Sequence, residues 1–234
     1  MTELVTIRCL TDNYAYLVHG GGQTALIDAP EAAPILAELD RRGWGLDAIL
    51  LTHHHDDHIQ AVPEIVAATG AAVWGNAADA ARLPALDRPL TPGTPAEICG
   101  ERVEVIDVPG HTVGHVAYHL PGAGLAFTAD SLMAMGCGRL FEGTPAQMWD
   151  SLSRLAALPD ETLICSGHDY ARGNGAFALA VDPDNGALRQ RLDATLADEK
   201  ATNPFLRAAA LARPGEDAAA AFARLRREKD GFRG

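Results

Sequence analysis

The chain has 234 residues, 47% of them hydrophobic, and a formal net charge of −12 at pH 7. That length supports one sizeable domain, or one domain with a helical appendage. The acidic balance excludes nucleic acid and anionic lipid surfaces as expected partners, and it requires a local cluster of Arg and Lys if a substrate is an anion.

In chain order, Leu4–Leu10 and Tyr14–His19 read as strands around the polar turn Thr11-Asp12-Asn13. Thr24–Asp28 is a third strand, ending on an acid before Pro30. Glu31–Arg41 carries Ile35, Leu36 and Leu39 at helical spacing, and Gly43 stands where that helix would stop. Ala48–Leu51 is a short apolar strand, Ala61–Thr69 a helix and Ala71–Trp74 a strand. Glu101–Val108, Val116–Leu120 and Leu125–Thr128 continue as strands. Ala146–Ala157 reads as a helix before the strand Thr162–Cys165. Beyond Tyr170 the strand signals vanish. Asn185–Ala201 is predicted helical, with Leu188, Leu192 and Leu196 in line, and Ala218–Lys229 is a last helix.

Cys9, Cys99, Cys137 and Cys165 are widely spaced without a C-x-x-C pair, so no disulfide framework is expected. No run approaches ~18 apolar residues, and Met1-Thr2-Glu3-Leu4 lacks the basic and apolar regions of a leader. The expectation is a cytoplasmic protein with no membrane partner.

The chemistry concentrates in Thr52-His53-His54-His55-Asp56-Asp57-His58, directly after a strand. Alternation puts His53 and His55 on one side and turns His54 away, while Asp57 and His58 lie further along. Two ligand pairs this close suggest two cations side by side. His111, Asp130 and His168 each follow a strand, two of them beside a glycine that permits a sharp turn. The lone His19 and His119 read as packing or surface residues, and His54 and His115 as supports rather than ligands.

These residues resemble the metallo-β-lactamase superfamily over roughly residues 4–170. The resemblance implies an α/β fold, an αββα four-layer sandwich of two mixed sheets with helices outside. It implies one cation on His53, His55 and His111, a second on Asp57, His58 and His168, and Asp130 bridging both. Asp57 and Asp130 would be the catalytic carboxylates, with Asp130 orienting the attacking water. Zinc is the first expectation for the pair, and iron and manganese accept the same ligands.

Within the superfamily the chain looks most like the glyoxalase II (hydroxyacylglutathione hydrolase) branch. Thr11-Asp12-Asn13-Tyr14, Gly136-Cys137-Gly138-Arg139-Leu140-Phe141-Glu142-Gly143-Thr144, Gly167-His168-Asp169-Tyr170, Asn203-Pro204-Phe205-Leu206-Arg207 and Arg226-Arg227-Glu228-Lys229-Asp230 carry that likeness. It implies a catalytic domain at 1–170 and a helical glutathione-binding subdomain at 171–234. Arg139, Phe141, Tyr170, Arg226 and Lys229 would bind the substrate, a small glutathione thioester. Arg226 and Lys229 stand three apart on one helix and would supply the local positive charge. The expected reaction yields glutathione and a 2-hydroxy acid, D-lactate in the family's usual case, by a monomer. Phe141 and Asp169 depart from the commoner Tyr and Glu, and Ala129 from Gly. A persulfide dioxygenase relative would use one iron and leave Asp57, His58 and His168 idle. A lactonase or β-lactamase would not need the Arg226–Lys229 tail, and a binding module would show broken ligands.

Overall fold

The computed structural model describes residues 2–190 and 195–232. It divides into two compact units, Met1–Asp107 with Gly114–Phe127, and Val108–Val113 with Thr128–Gly234.

The first unit contains β1 (Glu3–Cys9), β2 (Asn13–Gly20), β3 (Gln23–Ile27), α1 (Ala32–Arg42), β4 (Ala48–Leu50), α2 (Asp56–Ile59), α3 (Val62–Thr69), β5 (Ala72–Asn76), β6 (Arg88–Leu90), β7 (Ala96–Ile98), β8 (Glu101–Asp107), β9 (Val116–Leu120) and β10 (Leu125–Ala129). The last two residues of β10 belong to the second unit. One sheet runs β1-β2-β3-β4-β5-β6. Its first three strands form an antiparallel meander, and β3 through β6 run parallel. Parallel neighbours need crossovers, which α1, and then α2 with α3, provide. Strands β10-β9-β8-β7 form an antiparallel second sheet.

Alternation along β2 divides its side chains between two layers. Ala15 and Leu17 join Ile35, Leu39, Val62 and Ile65 of the helices in one apolar core. Tyr16 meets Phe127 of β10, ring centroids 5.5 Å apart. The sheets are also pinned by Tyr118, whose hydroxyl donates to the Leu51 carbonyl at 2.6 Å. Burial, and next the negative charge of Asp28, hold that phenol far above its ordinary pKa.

The second unit contains β11 (Leu132–Met133), β12 (Gly136–Cys137), α4 (Pro145–Ala156), β13 (Leu163–Ser166), α5 (Ala171–Val181), α6 (Gly186–Gln190), α7 (Leu196–Thr202) and α8 (Ala218–Gly231). Thr144 and Gln147 close a capping box over α4, with Pro145 in its first turn. Phe205 lies 6.0 Å from Phe177 and 5.7 Å from Phe222, centroid to centroid, and forms the centre of the helical tail.

The expected elements between residues 4 and 170 all form, with ends moved by no more than two residues. The expected helix Asn185–Ala201 does not run as one. Thr195 takes an extended backbone and caps α7, exchanging bonds with Asp198, so a single helix cannot pass through it. Leu192 lies outside the described residues. The four-residue α2 and the short β6, β7, β11 and β12 were not expected. Nor was α5, whose Gly173, Asn174 and Gly175 are poor helix formers. All four cysteines are buried and free. Burial pushes the Cys9, Cys99 and Cys137 thiols up to about 11 and Cys165 higher still.

Candidate metal centre

In the first unit, the chain leaving β4 carries His53, His54 and His55 into α2. His53 Nε2 and His55 Nδ1 face each other at 3.1 Å, and His54 turns the other way, donating from Nδ1 to Asp79 Oδ2 at 2.9 Å. Asp79 is buried and also accepts from Arg82 Nε at 2.6 Å. Gly114 is required beside it, because a Cβ there would fall 2.4 Å from the Asp79 carboxyl carbon. His115 stacks on His53, centroids 4.6 Å apart.

Asp28 ends β3 in left-handed backbone, φ 57°. Its Oδ1 accepts from Thr52 N at 2.8 Å, and its Oδ2 accepts from Thr52 Oγ1 and His58 Nδ1, each at 2.8 Å. Asp28, His53 and His58 each place a donor atom within 4.8 Å of the others. Both Asp28 oxygens are committed to those hydrogen bonds, so its role is to orient. With Nδ1 protonated toward Asp28, His58 presents Nε2, the arrangement that a supporting carboxylate gives to a metal-binding imidazole. Asn13 Nδ2 donates to Asp57 Oδ2 and to the Asp57 carbonyl, each at 3.0 Å, which fixes that carboxylate at the head of α2.

In the second unit, Asp130 Oδ2 stands 3.4 Å from His111 Nε2 and 3.4 Å from His168 Nε2. Ala129 before it has φ 40°, a backbone in which glycine is easier, and its carbonyl accepts from Gly167 N at 3.0 Å, holding the end of β13 beside Asp130. His111 Nδ1 donates to the Arg139 carbonyl at 2.8 Å and leaves Nε2 toward Asp130. Gly138 allows this approach: a Cβ there would lie 2.0 Å from the Asp130 carbonyl oxygen and 2.9 Å from His111 Nδ1.

Two donors on one tetrahedral cation with bonds of ~2.0–2.1 Å stand about 3.3 Å apart. The spacings of His53 with His55, of Asp130 with His111 and of Asp130 with His168 all fit that distance. The donor chemistry, neutral imidazole with carboxylate, suits a divalent ion.

The expected substrate residues lie in the second unit. Exposed Phe141 sets its ring edge-on to His111, centroids 5.2 Å apart, and Tyr170 stacks flat on His168 at 4.7 Å. Arg139 is exposed. The Lys229 ammonium donates to the Gly173 carbonyl at 3.3 Å, and partial burial, then the charges of Arg226 and Arg139, lower its pKa. Arg226 is buried against the β-hairpin. It is 6% exposed, lies over the Phe205 ring, and donates from Nη1 to the Cys137 carbonyl and from Nη2 to Asp230, each at 2.9 Å. Spacing put it on the Lys229 side of the helix but could not say that β12 covers it. Asn13, Asp28 and Asp79 were missed as supports. Asp28 had a signal as an acid closing an apolar strand, and Asn13 through its place in Thr11-Asp12-Asn13-Tyr14.

The model of the metallo-β-lactamase superfamily matches residues 10–168, and that of the hydroxyacylglutathione hydrolase C-terminus matches residues 169–232. The hydroxyacylglutathione hydrolase of Fuscovulum blasticum is 59% identical, with 98% of this chain and 99% of the relative aligned. That of Ruegeria pomeroyi is 54% identical over the same shares. Among solved structures, TTHA1623 in a di-iron-bound form is similar with a TM-score of 0.68 at 31% identity, covering 87% of this chain and 100% of that one. ETHE1 from Myxococcus xanthus is similar with a TM-score of 0.72 at 27% identity, covering 98% and 93%. With both modules matched in order and the relatives aligned almost end to end, the chain belongs to the hydroxyacylglutathione hydrolase family of the metallo-β-lactamase superfamily.

Proposed function

We propose that this chain is a binuclear-metal thioester hydrolase. It cleaves S-2-hydroxyacylglutathione, S-D-lactoylglutathione above all, to glutathione and a 2-hydroxy acid, D-lactate, in methylglyoxal detoxification. The observation that carries this is the near-full-length identity to proteins named for that activity. On this reading His53, His55 and His111 would hold one cation and Asp57, His58 and His168 the other, with Asp130 a further ligand of the pair. Zinc is the proposed metal. The di-iron form of the similar structure supports a two-metal reading and keeps iron as the competitor.

When bound, the cations would supply a water of lowered pKa and polarise the acyl carbonyl. The chain's own residues do the rest. Asp28 and the Arg139 carbonyl keep the Nδ1 protons of His58 and His111 in place, so that each Nε2 stays a lone-pair donor. Asp130 orients the attacking water, which enters as hydroxide after giving its proton to solvent, and Asp57 would hold its cation. Water adds to the thioester carbon, the C–S bond breaks, and the sulfur departs as a thiolate. An ordinary thiol pKa near ~8.5 lets it leave without a dedicated acid. Arg139 and Lys229 meet the glutathione carboxylates, with Phe141 and Tyr170 as flat walls. Arg226 adds its charge and holds the turn beneath them.

Residues 1–170 are proposed as the catalytic module and 171–234 as the glutathione module, a division supported by the junction of the two family matches. A cytoplasmic monomer is the proposed working form. Among the described residues no helix is long and apolar enough to cross a membrane.

Metal analysis of the purified protein, paired with hydrolysis of S-D-lactoylglutathione, a lactone and a β-lactam, tests the reading. Two equivalents of metal and a strong preference for the thioester are expected. Preference for the lactone or the β-lactam would overturn it.

A further inference from the structure

The hairpin of β11 and β12 separates Asp130 from Arg139, and side chains of the helical tail grip its backbone. Asn174 Nδ2 donates to the Ala134 carbonyl at 3.0 Å. Asn203 Nδ2 donates to the carbonyls of Gly136 at 2.9 Å and Met133 at 3.2 Å. Glu199 Oε2 accepts from Met135 N at 3.0 Å and from Asn203 Nδ2 at 2.8 Å. Arg226 Nη1 takes the Cys137 carbonyl. Four tail residues thus hold five consecutive backbone positions, Met133 through Cys137. Glu199 and Asn203 are both fully buried. Met135 is held in left-handed backbone, φ 54°, which a non-glycine residue keeps only when its surroundings enforce it.

The hairpin leads straight to ligands. Gly138 follows β12, donates from N to the Ser131 carbonyl at 3.3 Å, and is pressed against the Asp130 carbonyl and the His111 ring. The next carbonyl, Arg139, orients His111. Displacing the hairpin therefore moves Asp130 and releases His111.

We propose that Glu199 and Asn203, with Asn174 and Arg226, are positioning residues for the metal ligands Asp130 and His111, so that the tail sets metal affinity as well as substrate affinity. This rests on the metal-hydrolase reading above. The polar pair is buried and mutually satisfied, and removing one partner strands the other, so the arrangement does not relax cheaply.

The test is zinc affinity, measured by competition with a chromophoric chelator, on the full chain. Asn203→Ala and Asn203→Asp are expected to bind zinc about 10–100-fold more weakly, since both lose the amide donor. Glu199→Gln keeps an oxygen for Met135 N and is expected to stay within about threefold of wild type, whereas Glu199→Ala removes it and is expected to weaken zinc binding about as much as Asn203→Ala. Lys229→Ala should leave zinc affinity unchanged and raise KM, whereas Asn203→Ala should lower kcat with little change in KM. If Asn203→Ala does not fold, Asn174→Ala decides, because it frees only one carbonyl. About a three- to tenfold weaker affinity is then expected. Wild-type zinc affinity in a folded Asn203 or Asn174 variant overturns the inference. Failure of the wild-type chain to bind zinc would instead overturn the metal-hydrolase reading itself.

Discussion

Tyr170 lies flat on His168, ring planes 8° apart and centroids 4.7 Å apart, although Tyr170 is 42% exposed. The stack keeps the imidazole from swinging off Asp130 Oδ2. Such pairs contribute about 0.5–1.5 kcal/mol. Tyr170→Ala is expected to weaken metal binding by about two- to tenfold, and Tyr170→Phe to leave it unchanged. Zinc competition on the two variants checks this.

Asp28 sets the tautomer of His58. In Asp28→Asn the amide nitrogen can face His58 Nδ1 and donate to it, which moves the ring proton to Nε2, the nitrogen a cation needs. Metal affinity should fall about 10–100-fold in a chain that still folds. Nitrogen chemical shifts of the His58 ring report the tautomer directly. Asp28→Ala also strands the Thr52 donors and should cost about 3–5 kcal/mol of stability in chemical denaturation.

Lys229 combines a lowered pKa with its proposed contact to the substrate. Its pKa is lowered from the ordinary 10.5, first by burial and then by Arg226 and Arg139. A lysine with a depressed folded pKa costs stability while both states are protonated. That cost fades as pH rises through the depressed value toward 10.5. Lys229→Met should therefore not lower Tm at pH 7, while KM for the thioester rises about tenfold. In wild type, KM should begin to climb at a pH below the ordinary lysine range. Melting curves and a pH series of KM measure both.

Two glycines of the second unit should respond oppositely to alanine. Gly138→Ala drives a Cβ into the Asp130 carbonyl, so loss of metal and a destabilisation of about 3 kcal/mol or more are expected. Gly173, in the first turn of α5, has only the Lys229 ammonium near its open side, at 4.0 Å. Gly173→Ala should stabilise by about 0.5–1 kcal/mol. Denaturant midpoints and metal content distinguish them.

How much of this was legible in the sequence depended on whether the signal was local. His53, His55, Asp57 and His58 sit within one short run after an apolar strand, so alternation alone gave their facing and that of His54. His111, Asp130 and His168 each followed a strand, and β-patterns are readable from β-branched and apolar runs. The supports were not legible. Asp79 reaches His54 across 25 residues, Asn13 reaches Asp57 across 44, and Asn203 reaches Gly136 across 67. A hydrogen bond of that span leaves no period in the chain. Arg226 shows the same limit. Its spacing from Lys229 revealed the shared side of the helix, but exposure is decided by β12, 89 residues away.

The four buried cysteines bear on the company this protein keeps. Hydrolysis of a glutathione thioester releases a thiol, and in a cell that thiol coexists with its disulfide. Mixed-disulfide formation needs a reachable thiolate. With the thiols of Cys9, Cys99 and Cys137 raised to about 11, Cys165 higher, and all four sulfurs out of solvent, the native chain offers none. The protein is thus chemically deaf to the thiol-disulfide poise of its own product, and its turnover should hold steady from fully reduced to heavily oxidised glutathione.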